Sequence, residues 1–346
     1  MIKDKILQSY VSDFVKEHNI EGLEDDQAFE SFVNYCVVSR EYPEDFDIDE
    51  VSVGGGGDTA IDGLAILVNE HLVFSKEDVN FFKDRLRRLD VEFVFIQSKS
   101  GNDFDSSEIG NFLFGIKSFF QSQPLIKENE HVQQLREVKD YIYERSVDMD
   151  MPPVCRMYYA APGKWVGDTN LVGRVSAGVE ELKQTRLFHE VYFFPLDADK
   201  LRDIYKELTL KVVRQVTFEK YTILPQIDKV EEAYIGILPS KEYLKLLTDS
   251  DGELLRTLFY NNVRDFQGNN PVNSEIQVTL SDAVQNDKFV LLNNGITIVA
   301  KSINKVGTAF KMKDYQIVNG CQTSHILFRN RNLLTDKVFL PVKIIV

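Results

Sequence analysis

The stretch that most limits what this chain can become is Phe93–Lys99, FVFIQSK, taken with GGGGDTAIDG at Gly54–Gly63. An apolar run of Phe, Val and Ile that ends in polar residues reads as a buried strand. Side chains alternate along a strand, so Gln97 and Lys99 are expected on one face and Ser98 on the other. An amide and an ammonium at the end of a buried strand are costly to desolvate without partners. Asp62 is the expected partner, in a second apolar strand, Ile61–Val68, that follows the glycines. Asp62, Gln97 and Lys99 can then meet at one sheet edge, where such a trio can hold a divalent cation, position a phosphate and activate a water.

Composition narrows the setting. With 346 residues the chain is too long for one compact core, so two domains are expected. No apolar run approaches a membrane span, and the N-terminus lacks a signal-peptide core, so no membrane partner is expected. Cys36, Cys155 and Cys321 are far apart and have no metal-ligand spacing, which suggests a reducing, cytoplasmic setting. His18, His71, His131, His189 and His325 are scattered and read as surface or packing residues. The formal charge of −14 is uneven: residues 1–250 carry −17 and residues 251–346 carry +3. Duplex binders usually show a basic face, so this balance argues against a tight, general DNA binder. It leaves room for a metal-dependent enzyme with a local basic groove or a partner protein.

Along the chain, residues 1–20 and Asp26–Ser39 read as amphipathic helices. Glu30 flanks the apolar face of the second, where a carboxylate can reach the edge of a core; the alternative is a solvated helix charge. Gly54–Gly57 permits unusual backbone angles, but no GK[ST] follows, which argues against a nucleotide P-loop. Strands are expected at Ile61–Phe74 with a bend near Asn69–His71, at Phe93–Lys99, at Val154–Ala160 and at His189–Leu196. Helices are expected between them and at Asp199–Val216. This order predicts an α/β fold with a mixed sheet covered by helices. Further on, FVLLNNGITIVA at Phe289–Ala300 reads as strand–turn–strand, and Tyr315–Val318 as a strand entering NGCQTSHILF. The chain ends in the strand-like run LPVKIIV and is expected to be part of a longer protein.

FESFV, GGGGDTAIDG and FVFIQSK, in that order, resemble the PD-(D/E)xK nuclease fold. They are most similar to its Mrr-like restriction-endonuclease branch, in which glutamine replaces the second acid. The resemblance implies a restriction-endonuclease-like sheet and Mg²⁺ or Mn²⁺ as cofactor. It makes Asp62 the main metal ligand and Gln97 a second one. Lys99 would orient the attacking water or stabilise the transition state, and Glu30 would hold metal or water. Asp58 matches the motif in a supporting position. The alternative reading is a structural aspartate beside a strand-end Gln-x-Lys, since three-residue matches are common by chance.

Asn261–Ile276 (NNVRDFQGNNPVNSEI), Phe289–Ser302 and Tyr315–Phe328 look like the AIPR (abortive infection phage resistance) family. The expected division is a nuclease-like domain over 1–222 and an α+β AIPR domain over 223–346. Asn294-Gly295 suits a tight turn. Asn319 and Gln322 place amides at a strand end and a helix start, where free N–H groups can meet an anion. Arg264, Asn294, Asn319 and Gln322 are therefore candidates to line a pocket for phosphate, nucleotide or nucleic-acid backbone; turns and caps alone are the alternative. Together the resemblances imply a metal-dependent nuclease in bacterial anti-phage defence, acting on DNA ahead of RNA, with a homodimer and a defence-system partner protein as the expected partners. The competing reading is a sensing module on an inactive nuclease-like scaffold, and a third is a protein-interaction subunit.

Overall fold

The computed structural model describes residues 2–54, 59–86, 88–101, 103–209, 212–249, 252–259, 276–280 and 286–346. The chain divides into two compact units, Met1–Leu208 and Thr209–Val346. The boundary expected after residue 222 falls inside the second unit, because residues 213–223 belong to that unit's sheet. Among the described residues no helix is long and apolar enough to cross a membrane.

In the first unit, helices α1 (Lys5–Glu17), α2 (Asp25–Glu41) and the short α3 (Ile48–Val51) precede the sheet. Strands β1 (Gly63–Val68) and β2 (His71–Leu72) form a hairpin rather than one bent strand. Asn69 and Glu70 make its turn with φ of 53° and 71°. Then follow α4 (Lys76–Leu86), β3 (Val91–Ser98), α5 (Ser106–Phe119), α6 (Glu130–Tyr143), β4 (Val154–Ala160), α7 (Thr169–Gln184), β5 (Glu190–Leu196) and α8 (Ala198–Thr209). The sheet order is β2-β1-β3-β4-β5; β1 pairs antiparallel with β2 and β3, while β3, β4 and β5 are parallel. It is a mixed sheet, as the sequence predicts.

Both faces of this sheet are covered, which is why β1 and β3 are apolar along almost their whole length and fully buried. Phe93, Phe95 and Met157 point towards α5, α6 and α7. Val94, Ile96 and Tyr158 point towards α1, α2 and α8. The result is three layers, helix–sheet–helix.

The second unit contains β6 (Val213–Thr217), β7 (Lys220–Ile223), β8 (Ala233–Pro239), α9 (Ser240–Leu247), a helical turn α10 at 276–280, α11 (Phe289–Leu292), β9 (Ile296–Val306), β10 (Ala309–Asn319), α12 (Cys321–Arg329) and β11 (Phe339–Ile345). The expected helix through Val216 ends at Thr209, and 213–217 is a strand. The FVLL run is a helical turn, not a strand, with Phe289 buried and Leu291 and Leu292 exposed. Sheet order is β6-β10-β9-β11-β8-β7, with β9 and β11 parallel and all other pairs antiparallel. Its two outer strands are separated by only Phe218 and Glu219. Three Cα steps span at most about 11 Å, whereas the edges of an open six-stranded sheet lie about 24 Å apart. The sheet is therefore rolled until its edges meet, around Phe218, Tyr221, Tyr234 and Phe310, whose rings pack edge-to-face or tilted at 5.0–5.7 Å.

Candidate active site

Asp62 is held by its backbone before its side chain does anything. It lies one residue before β1, not within it. Its N–H donates to the Ile96 carbonyl at 2.8 Å, and its carbonyl accepts from Val53 at 2.9 Å and Gly54 at 3.2 Å. The side chain is 8% exposed. Its Oδ2 accepts three hydrogen bonds, from Gln97 Nε2 at 2.6 Å, the Ser98 N–H at 2.7 Å and Ser98 Oγ at 3.0 Å. Three donors on one oxygen offset the cost of burying a carboxylate. The sequence places Ser98 on the opposite face, yet it is a direct partner of Asp62. It is the last residue of β3 and contributes its backbone as well as its hydroxyl.

Gln97 is 1% exposed and uses both amide hydrogens: Nε2 also donates to the Ser98 carbonyl at 3.1 Å. Its Oε1 is buried and has no hydrogen-bond partner among the described residues. The amide nitrogen thus sits between two oxygens while the amide oxygen stands alone. Turning the amide over would present Oε1 to Asp62 Oδ2 and to the Ser98 carbonyl. Three oxygens facing one point need a cation between them, and carboxylate, amide and backbone carbonyl oxygens are what Mg²⁺ and Mn²⁺ accept. With the amide so turned, the donor types are those a hard divalent ion takes, while Asp62 Oδ2 here also accepts from Ser98 N–H and Oγ.

Lys99 lies one residue beyond β3, and its N–H extends the parallel pairing to the Ala160 carbonyl at 2.9 Å. Its ammonium is 3.5 Å from Glu108 Oε2, and both side chains are close to half exposed. Glu108 lies in the first turn of α5, where Asp105 caps the helix by accepting from Ser107 and Glu108 N–H. Glu30, half-buried on α2, packs against Gly54: a Cβ there would fall 2.5 Å from Glu30 Oε1. Glu30 thus reaches the residue whose N–H supports the Asp62 carbonyl. Asp58 lies outside the described residues.

Sequence reasoning missed Tyr159. Its register partner on the parallel strand β3 is Gln97, so the two share a face. The side chain is fully buried, and its hydroxyl has no hydrogen-bond partner among the described residues. Burial pushes its phenol well above the ordinary range, and Glu108, Asp105 and Asp62 add to the rise. Thr59 Oγ1, three residues before Asp62, is another buried atom with no such partner.

In the second unit the strings Phe289–Ser302 and Tyr315–Phe328 converge. Asn293 Nδ2 donates to Thr323 Oγ1 at 2.9 Å, and Asn293 Oδ1 accepts from the Gly295 N–H. Gly295 and Gly320 have φ of 86° and 109°, the left-handed region that glycine enters freely. Ser324 Oγ lies 2.6 Å from Tyr243 Oη and donates to the Gly320 carbonyl at 2.8 Å. Of the expected lining residues, Asn294 and Asn319 are exposed and Gln322 is half-buried in the first turn of α12. Arg264 lies outside the described residues.

No curated protein and no solved structure matches the chain. The family model named AIPR protein matches residues 259–346 of this chain, within its second unit.

Proposed function

We propose that this chain is a metal-dependent nuclease of anti-phage defence that hydrolyses phosphodiester bonds in DNA, with RNA as the second candidate substrate. The observation that carries the reading is the end of β3, where the Gln97 amide sits between the Asp62 carboxylate and the Ser98 carbonyl. Its Oε1 is buried and without a partner among the described residues, so that turning the amide over would gather three oxygens there. When bound, Mg²⁺ or Mn²⁺ would supply Lewis-acid polarisation of the phosphate and would orient and acidify an attacking water. Asp62 and Gln97 would hold the ion, and Glu30 would support Gly54, whose N–H donates to the Asp62 carbonyl. Lys99 stabilises negative charge on the phosphate once it leaves Glu108. The AIPR match supports the defence role. The charge of −17 on residues 1–250 makes a basic partner a natural aid to duplex binding, while cutting both strands calls for a second site, which a second copy would bring.

The test is cleavage of circular duplex DNA, and of RNA, with Mn²⁺. Asp62→Ala and Lys99→Ala should abolish cutting while circular dichroism stays unchanged. Equal cutting by wild type and both variants would end this reading. A second reading, nucleic-acid or nucleotide sensing on an inactive scaffold, draws on the exposed amides Asn294 and Asn319. Ligand binding lost in Asn294→Ala or Gln322→Ala but kept in Asp62→Ala would favour it.

A further inference from the structure

Tyr158 and Tyr159 are adjacent, and both are buried on β4. The Tyr158 hydroxyl donates to Glu41 Oε1. The Tyr159 hydroxyl, on the opposite face, has no partner among the described residues. A buried hydroxyl without a partner destabilises a fold. Its ring packs in apolar company, with Phe104 and Phe112 centroids at 5.9 and 6.1 Å. A phenylalanine would fill the same space without stranding an oxygen. What sets the hydroxyl end apart is its surroundings: Gln97 beside it in register, and Asp62, Asp105 and Glu108 in its electrostatic neighbourhood.

Two orphaned buried atoms, Gln97 Oε1 and the Tyr159 hydroxyl, belong to register partners on one face of neighbouring strands; Asp62 is hydrogen-bonded to the first residue and acts electrostatically on the second. They differ in chemistry. The amide oxygen can only accept, and so suits a cation directly. The phenol can donate, and so suits an oxygen in the cation's water shell. Mg²⁺ and Mn²⁺ sites built on one or two carboxylates keep several waters, and those waters need partners.

We propose that Tyr159 is a positioning residue of the Asp62 site, its hydroxyl donating to a water bound to the divalent cation that Asp62 and Gln97 hold. The inference rests on the metal-dependent reading above. The hydroxyl contributes nothing to the metal-free fold and becomes satisfied only when the ion and its water arrive.

The experiment is Mn²⁺ titration by calorimetry on the full chain, paired with thermal unfolding in chelator, for wild type, Tyr159→Phe and Asp62→Ala. Tyr159→Phe should bind Mn²⁺ about three- to tenfold more weakly, the value of one hydrogen bond. Its melting temperature in chelator should be unchanged or higher. Asp62→Ala should show no binding. A structural hydroxyl would give the reverse pattern, a lowered melting temperature in chelator, and that result overturns the inference. Wild-type Mn²⁺ affinity in Tyr159→Phe overturns it too, and leaves the nuclease reading standing if Asp62→Ala has lost binding. Absence of Mn²⁺ binding by wild type removes the metal-dependent reading, and this inference with it.

Discussion

Strands β3 and β4 carry two buried polar clusters, one on each face, and the two are built differently. On the face towards α2, Arg156 Nε lies 2.8 Å from Glu92 Oε2 and 3.7 Å from Glu41 Oε2. Tyr158 adds a hydrogen bond to Glu41, and the Arg156 guanidinium stacks 5.4 Å from the Tyr192 ring. Donors there meet acceptors within the cluster. On the other face, Asp62 has three donors on one oxygen, while Gln97 Oε1 and the Tyr159 hydroxyl have no partner among the described residues. A closed network stabilises the fold and asks for nothing further. An open one carries unmet hydrogen-bonding capacity, which a ligand can meet.

The largest expected effect breaks the closed cluster. Arg156→Met strands Glu41 and Glu92 in the interior and should cost about 3–5 kcal/mol, read as a shift in urea unfolding. Next, Gly115→Ala tests how the Asp62 loop seats on α5. A Cβ at Gly115 would land on the Thr59 carbonyl oxygen, and backbone cannot step aside as a side chain can. A loss of about 1–3 kcal/mol together with weakened Mn²⁺ binding is expected; full stability in this variant would mean the loop is not seated there. Tyr158→Phe sharpens the contrast with Tyr159→Phe, because it removes a donor from the buried Glu41. It should cost about 1–2 kcal/mol in the same unfolding assay, against none for its neighbour. The smallest effect is Glu108→Gln. The Lys99–Glu108 pair is well exposed, so melting should move by no more than about 1 kcal/mol equivalent. Cleavage at low salt should respond more than stability does, as Lys99 loses its resting partner.

How much of this could be read from the chain follows from how local each signal is. The apolar runs VEFVFIQS and VCRMYYA announce buried strands because both faces are covered. Asp62 and Gln97 begin and end two apolar runs close enough in sequence for their meeting to be expected. Ser98 keeps the face opposite Gln97, in register with Ala160, but alternation alone does not show that its backbone N–H and hydroxyl reach the Asp62 carboxylate. Tyr159 could not be placed at all: its position beside Gln97 depends on a parallel register set across some sixty residues and two helices. In the second unit, the short apolar run FVLL fits a helical turn as well as a strand. The rolled sheet depends on β6 and β7 pairing with different neighbours, which no local pattern encodes.

A crystal soaked in Mn²⁺, with anomalous diffraction recorded, interrogates the end of β3 most directly. The account predicts an anomalous peak bounded by Asp62, Gln97 Oε1 and the Ser98 carbonyl, with the Gln97 amide turned over from the orientation it has here. A Gln97 Nε2 still donating to Asp62, with no peak beside it, would contradict the account.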